Sequence, residues 1–189
     1  MRKLKLQMQM TINGYVAGPH GENDWMTWNP DNEFLTFLTS LIDSSDTMLL
    51  GRKLATDGFI KHWENALEKN PDTPFAKQIV AMRKVVFTKT LDHSLWNNTT
   101  LAKGNLAEEI ANLKKQNGKD IIVFGGAGFV SSLIKEGLID EYHLIINPTA
   151  MGSGMTIFNT LDRIQKFTPI QSKLYSGGKA VLSYKPNKD

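Results

Sequence analysis

Glycines 125, 126 and 128 lie between an apolar, β-branched segment and an amphipathic segment that is typical of a helix. A strand that leads into a glycine turn and a helix N-terminus presents free N–H groups, a favourable dipole and room for an anion. The spacing of these glycines differs from GxGxxG. The alternative is therefore that they only form a tight turn, which requires positive φ. The candidate phosphate-binding residues are Gly125, Gly126, Ala127, Gly128 and Phe129.

Two further turns place cations directly after apolar segments. Gly51-Arg52-Lys53 follows Leu49-Leu50, and Thr88-Lys89 ends the segment that begins at Lys84. Cations at a helix N-terminus oppose its dipole, so an anionic ligand would relieve the conflict. A solvated basic turn is the alternative at position 51. Because open α/β sheets bind ligands at the carboxyl ends of their strands, the three turns together predict a bound phosphorylated nucleotide.

Three carboxylates near the first predicted helix are candidate acids. Asp24 stands beside Trp25 in a glycine-rich loop, which could raise a carboxyl pKa if the loop closes over a ligand. Asp31 follows Asn29-Pro30 and is also suited to be a helix cap, and Glu33 comes two residues later. A capping or solvated role is the alternative for each of them.

Composition excludes several classes of function. The 189 residues contain no cysteine, so disulfides, thiolate metal sites and a cysteine nucleophile are excluded, and a cytoplasmic location is expected. The four histidines lack metal-ligand spacing and no GxSxG elbow occurs, so we predict no metal and no such hydrolase. The net charge of +3 comes without a basic block, which argues against nucleic acid. No signal peptide or membrane span is predicted.

Strand and helix patterns alternate along the chain. We therefore predict a single domain over residues 1–189, a three-layer α/β/α structure with a mixed, mostly parallel central sheet and a C-terminal antiparallel hairpin. The strands are predicted at 3–12, 47–50, 84–88, 99–101, 121–124, 142–146, 167–175 and 180–184. The helices are predicted from 31 to 42, from 51 through 63, at 75–82, at 106–116 with Asn117-Gly118 as its C-cap, and at 129–135.

Five motifs in this order resemble the dihydrofolate reductase superfamily, most closely the reductase domain of the bifunctional riboflavin-biosynthesis deaminase–reductase. The similar segments are Thr11 to Gly18, Asp24-Trp25, Leu50 to Lys53, Val123 to Gly128, and Asp140-Glu141-Tyr142 with Asn147-Pro148, 151–154 and Ile157-Phe158. The resemblance covers nearly the whole chain and implies the fold of that superfamily.

The resemblance also implies NADPH binding and hydride transfer to a small heterocycle or a ribosylamino-pyrimidine, as in riboflavin or pterin metabolism. By this resemblance Arg52 and Lys53 would meet the 2′-phosphate or pyrophosphate, with Thr88 and Lys89 near the adenosine end. Gly51 and residues 125–129 would complete the cofactor site, with Val16 and Ala17 at the nicotinamide. Asp24 or Glu33 would supply or relay a proton. Asn13, Trp25 and Phe37 would line the substrate pocket, and a homodimer is expected.

Three departures from the family pattern bear on the activity. Asn13 stands where the family usually has aspartate, and Leu54 replaces a threonine after G-R-x. Glu33 precedes Phe37 by four residues, the spacing of the substrate-binding carboxylate in folate reductases, but the partner threonine has no match. The alternative to an NADPH-dependent reductase is therefore a nucleotide-binding module without turnover. A third hypothesis is a purely structural α/β domain.

Overall fold

The computed structural model describes residues 1–187 and contains one eight-stranded sheet flanked by helices. The strands are β1 Leu4–Thr11, β2 Ser45–Gly51, β3 Arg83–Phe87, β4 Thr99–Ala102, β5 Asp120–Val123, β6 Glu141–Asn147, β7 Phe167–Leu174 and β8 Ala180–Pro186. The helices are α1 Asn32–Asp43, α2 Arg52–Thr56, α3 Phe59–Lys69, α4 Pro74–Ala81, α5 Leu106–Lys115 and α6 Ala127–Lys135.

The strand order is β4-β3-β2-β5-β1-β6-β8-β7. The first six strands in that order are parallel to one another, whereas β8 is antiparallel to both β6 and β7. The mostly parallel sheet and the C-terminal hairpin were both predicted and are confirmed. Because the parallel strands point the same way, their carboxyl ends form one edge of the sheet, and the loops that follow them meet there.

Apolar side chains cover both faces of the sheet. On one face, Leu6 and Met8 of β1 pack with Val130 and Leu133 of α6 in the largest core cluster. On the other face, Phe34 and Leu38 of α1 pack over Ile145 and Val181, while a further cluster joins β2 and β3 to α1–α4. Because successive side chains of a strand point to opposite faces, neighbouring residues of β1 face opposite helical layers.

Three predicted helix boundaries are corrected by the structure. The helix predicted from 51 through 63 is two helices, because Gly58 between them adopts φ +101° and breaks the hydrogen-bond ladder. Helix α6 begins at Ala127, not Phe129. Helix α5 ends at Lys115 with Gln116 as its C-cap, one residue before the predicted Asn117-Gly118.

Among residues 1–187, no helix has the length and apolar character needed to cross a membrane.

Candidate nucleotide and substrate site

The three predicted phosphate-binding turns follow strands that are neighbours in the sheet. Strand β3 ends at Phe87 just before Thr88, β2 ends at Gly51, and β5 ends at Val123 before the glycine turn. Since β3, β2 and β5 are adjacent and parallel, their turns lie side by side at the carboxyl edge. This edge can accommodate an extended ligand that contacts all three turns.

The glycine turn opens the nine-residue helix α6. Gly126 is the N-cap with extended backbone (φ −64°, ψ 162°), Gly125 has φ +147°, and the peptide bond between them is cis. The first N–H groups of a helix have no partner within the helix. A Cβ at Gly128 would meet no atom within 4 Å, so open space lies beside this first turn. An anion can approach the backbone there.

Gly51 lies against the first turn of α6. A Cβ at position 51 would fall 2.8 Å from the Cβ of Phe129, so only glycine lets the β2–α2 turn approach this closely. The next two residues, Arg52 and Lys53, begin α2. Among residues 1–187, neither side chain makes a salt bridge or donates a side-chain hydrogen bond. Both cations thus remain available to a ligand beside the glycine turn.

Thr88 and Lys89 lie at the same edge, but their polar atoms contact nearby loop backbone. The Thr88 hydroxyl accepts hydrogen bonds from the N–H groups of Thr90 and Leu91, each at 3.1 Å. The Lys89 ammonium donates to the carbonyls of Lys103 and Gly104 at 2.6 and 2.9 Å. Their predicted contact with the adenosine end of a cofactor stays a prediction.

The loop after β1 is attached to the segment that follows β6. The Val16 N–H donates to the Met155 carbonyl, and the Met155 N–H donates to the Ala17 carbonyl, both at 2.8 Å. A Cβ at Gly154 would fall 2.4 Å from the Ala17 oxygen, which explains the glycine there. These contacts fix the backbone of Val16 and Ala17, the predicted nicotinamide residues.

Asn13 links the same two segments through its side chain. Its Nδ2 donates to the Met151 carbonyl at 2.7 Å, and its Oδ1 accepts from the Thr11 hydroxyl at 2.9 Å. An amide supplies a donor and an acceptor together, whereas an aspartate at this position would be acceptor-only when ionised. The Asn13 amide thus holds the loop after β1 to the segment that follows β6, and its predicted substrate contact stays a prediction.

The two predicted acids are in different surroundings. Asp24 is exposed, and among residues 1–187 its carboxylate has no ion pair or side-chain hydrogen bond. Its neighbour Trp25 donates its indole N–H to the Glu22 carbonyl at 3.2 Å. Glu33, in contrast, forms a 2.8 Å ion pair with Lys173 of β7. Asp24 is therefore the acid with the freer carboxylate.

Glu33 and Phe37 line one side of a surface groove of about 360 Å³ between α1 and the terminal hairpin. The Phe37 ring lies 6.2 Å from Tyr175 and 6.0 Å from His143, measured between ring centroids. The side chains that complete the groove are Asn32, Thr36, Ser40, Gln171, Lys173 and Tyr175.

Comparisons with known proteins identify one family that matches this chain. The family model described as the RibD C-terminal domain matches residues 2–180. The chain belongs to the RibD C-terminal domain family. The uncharacterized protein YyaP of Bacillus subtilis (strain 168) is 30% identical over 187 residues, which are 97% of this chain and 94% of YyaP.

Solved structures share the fold of this RibD C-terminal domain. A Shewanella sp. PV-4 protein, provisionally named as a riboflavin biosynthesis protein, superposes with a TM-score of 0.71 at 22% identity, and all of both chains is covered. A Thermotoga maritima diaminohydroxyphosphoribosylaminopyrimidine deaminase/5-amino-6-(5-phosphoribosylamino)uracil reductase gives a TM-score of 0.67 at 15% identity. The match covers 98% of this chain and 57% of the Thermotoga chain. The resemblance to riboflavin-biosynthesis reductase domains and the fold class are thereby confirmed.

Asp31 holds the N-terminus of α1 in this domain. Its carboxylate caps the helix by accepting from the Phe34 N–H at 2.7 Å, which confirms the capping alternative. The same carboxylate accepts from the Ser176 hydroxyl at 2.6 Å and the Gly177 N–H at 3.2 Å. These hydrogen bonds, of which the one from Ser176 has the largest effect, lower the pKa of Asp31 to about 2. The cap thus joins α1 to the β7–β8 turn.

Sequence reasoning missed a row of polar side chains beneath α1. Gln9 of β1, Asn147 of β6 and Lys179 before β8 are joined by hydrogen bonds. On the same face, burial lowers the pKa of His143 to about 4, so this imidazole is neutral at pH 7. The available signal was the polar face of β1, since a strand in the centre of a covered sheet is usually apolar on both faces.

Proposed function

We propose that this protein is an NADPH-dependent reductase that acts on a small heterocycle of the ribosylamino-pyrimidine type. The observation that supports it most is the pair of turns at Gly51 and Gly125. The turn at Gly51 packs against the first turn of α6, where open space lies at Gly128. It is followed by Arg52 and Lys53, whose side chains make no ion pair among residues 1–187. This combination of cations and backbone N–H groups suits a phosphate group.

The chain's own residues suit the cofactor that the family implies. Arg52 and Lys53 would hold the 2′-phosphate or the pyrophosphate, and the N–H groups of Ala127, Gly128 and Phe129 would bind the pyrophosphate. Val16 and Ala17, whose backbone is held by Met155, would line the nicotinamide. When bound, NADPH supplies a hydride from C4 of its nicotinamide.

The remaining task of the protein is to orient the substrate and move a proton. Phe37 offers an aromatic wall, and a carboxylic acid completes proton transfer to a reduced ring nitrogen or carbonyl oxygen. We assign this role to Asp24 ahead of Glu33, because Lys173 holds the Glu33 carboxylate in the groove beside β7.

The alternative is a nucleotide-binding module without turnover. The observation in its favour is that Asn13, at the position where the family usually has aspartate, has its side chain hydrogen-bonded to Met151 and Thr11. Oxidation of NADPH in the presence of a panel of ribosylamino-pyrimidines and pterins separates the two functions. A reductase consumes NADPH with at least one member, whereas a module binds NADPH and consumes none.

We also propose a homodimer. Strand β7 forms the edge of the sheet, and its Ile170 and Leu174 side chains are 45% and 74% exposed. Pairing of an exposed edge would cover both side chains. Sedimentation velocity of the wild-type protein and a Leu174→Lys variant tests this: the variant is expected to sediment as a monomer, and an unchanged sedimentation coefficient would contradict an interface at this edge.

A further inference from the structure

Lys179 is a lysine that is buried just before β8. Its side chain is only 2% exposed, and its ammonium donates to Oδ1 of Asn147. Among residues 1–187, no acidic side chain lies within salt-bridge distance of it. Burial lowers the pKa of the amine. A buried amine of this kind is costly, which points to a purpose other than surface charge.

The lysine fixes the orientation of the Asn147 amide. Because a lysine amine donates to its partner here, Asn147 must turn its Oδ1 toward Lys179. Its Nδ2 then faces acceptors: Oε1 of Gln9 at 2.8 Å, and the carbonyls of Ile145 and Met10 at 3.4 and 3.5 Å. Every one of these contacts is satisfied by this amide orientation and not by the flipped one.

The same constraint passes on to Gln9. Since Asn147 donates to Oε1 of Gln9, the carbonyl end of the Gln9 amide faces Asn147. Its Nε2, which makes no side-chain hydrogen bond among residues 1–187, is the end left to donate. Lys179, Asn147 and Gln9 therefore form a directional relay, whose free end is an N–H donor.

Gln9 is the point at which this relay reaches solvent. It is the single position of β1 that is not buried, and it lies two residues before the strand ends at the carboxyl edge. Strand β1 is central, between β5 with its glycine turn and β6. The alternation along β1 places Gln9 opposite Met8, on the face that carries α1. Gln9 therefore lies in the middle of the sheet, near the edge at which the predicted cofactor turns meet.

We infer that the Lys179–Asn147–Gln9 relay makes Gln9 a specificity-determining donor, which selects heterocycles with a ring carbonyl oxygen over analogues with an amino group in its place. This inference rests on the proposed reductase function and adds the recognition of the substrate ring. An amino group would face the Gln9 N–H donor with another donor, leaving both without a partner. Such mismatches lower affinity on the order of 10- to 100-fold.

The test compares two small pyrimidines that differ in this respect, 5,6-diaminouracil and 2,4,5,6-tetraaminopyrimidine. Both are titrated into the NADP⁺-saturated protein by calorimetry. The wild-type protein is expected to bind the uracil on the order of 10-fold more tightly or better. Gln9→Glu replaces the free donor with an acceptor and should invert the preference. Lys179→Met releases the Asn147 amide and should reduce the preference toward unity, whereas Lys61→Met, on the exposed surface of α3, should leave it unchanged.

An unfolding curve is measured for each variant. If Lys179→Met does not fold, the inverted preference expected of Gln9→Glu tests the inference by itself. Equal binding of the two pyrimidines by the wild type, or the same preference in Gln9→Glu, overturns the inference. Turnover of NADPH that is indifferent to these substitutions overturns it while leaving the reductase function in place. Binding of NADPH with no binding of either pyrimidine overturns the inference and the proposed substrate class together.

Discussion

The Cβ position of residue 51 lies 2.8 Å from the Cβ of Phe129, so the turn after β2 and the first turn of α6 approach as closely as a glycine permits. Phe129 in turn packs its ring 4.9 Å from Phe87, at the end of β3. These two contacts of Phe129 thus align the loops of three neighbouring strands.

Replacing Gly51 with alanine should therefore disturb this alignment. The backbone of Gly51 suits alanine (φ −73°, ψ 147°), so the cost arises from the contact with Phe129 and not from backbone strain. Overpacking of this kind costs about 1–3 kcal/mol. Urea unfolding should show that loss, and NADPH binding should weaken with it. A Gly51→Ala protein with wild-type stability and affinity would contradict the close packing.

Gly128→Ala should separate binding from stability. Its Cβ would enter open space within α6, so the free energy of unfolding should stay constant or rise by up to about 1 kcal/mol. The methyl group would nevertheless occupy the approach to the helix N-terminus and weaken NADPH binding by about tenfold or more. Lys135→Ala, exposed at the far end of the same helix, is the control that should leave affinity unchanged. Unaltered NADPH affinity in Gly128→Ala would show that no phosphate group of the cofactor binds at this turn.

The carboxyl-edge arrangement could be predicted from sequence, because each turn follows an apolar strand and parallel strands end together. The contacts of Lys89 and Glu33 could not be predicted, since their partners come from a loop and a strand that only the tertiary fold brings near. Thr88 instead accepts from N–H groups two and three residues further along the chain, a local turn that was not predicted. The break at Gly58 was missed because apolar residues continue on both sides of it. The relay from Lys179 to Gln9 depends on the pairing of β6 with β1, and 170 positions separate its ends.

Asp31 should make the protein sensitive to acid. Its folded-state pKa is about 2, below its ordinary value of 3.8, so between these values the unfolded state binds more protons and stability rises with pH. The contribution is complete above about pH 4 and is lost as the pH falls toward 2. Asp31→Asn retains a capping oxygen without the charge.

Urea midpoints of the wild type and Asp31→Asn, measured at pH 6 and at pH 3, check this expectation. The fall in stability between the two pH values should be smaller in the variant. An equal fall in both proteins would assign the acid sensitivity to other carboxylates.

Substitution of the two acids should affect turnover unequally. Asp24→Asn removes the freer carboxylate and should lower kcat by about 10²-fold or more, without a matching loss of NADPH affinity. Glu33→Gln breaks an exposed ion pair with Lys173 and should change kcat much less. Steady-state kinetics with any pyrimidine that the wild type reduces measures both effects. A larger loss of kcat in Glu33→Gln than in Asp24→Asn would indicate that Glu33 is the proton donor.

We propose that Arg52, which follows Gly51 at the turn packed against the first turn of α6, recognises the phosphate that distinguishes NADPH from NADH. Calorimetric titration of both nucleotides into the wild type, Arg52→Ala and the exposed-surface control Arg163→Ala measures this directly. We predict tighter binding of NADPH than of NADH by the wild type and by Arg163→Ala, on the order of 10- to 100-fold. Arg52→Ala should lose that preference while keeping its affinity for NADH. Equal binding of the two nucleotides by the wild type, or an undiminished preference in Arg52→Ala, would contradict the assignment.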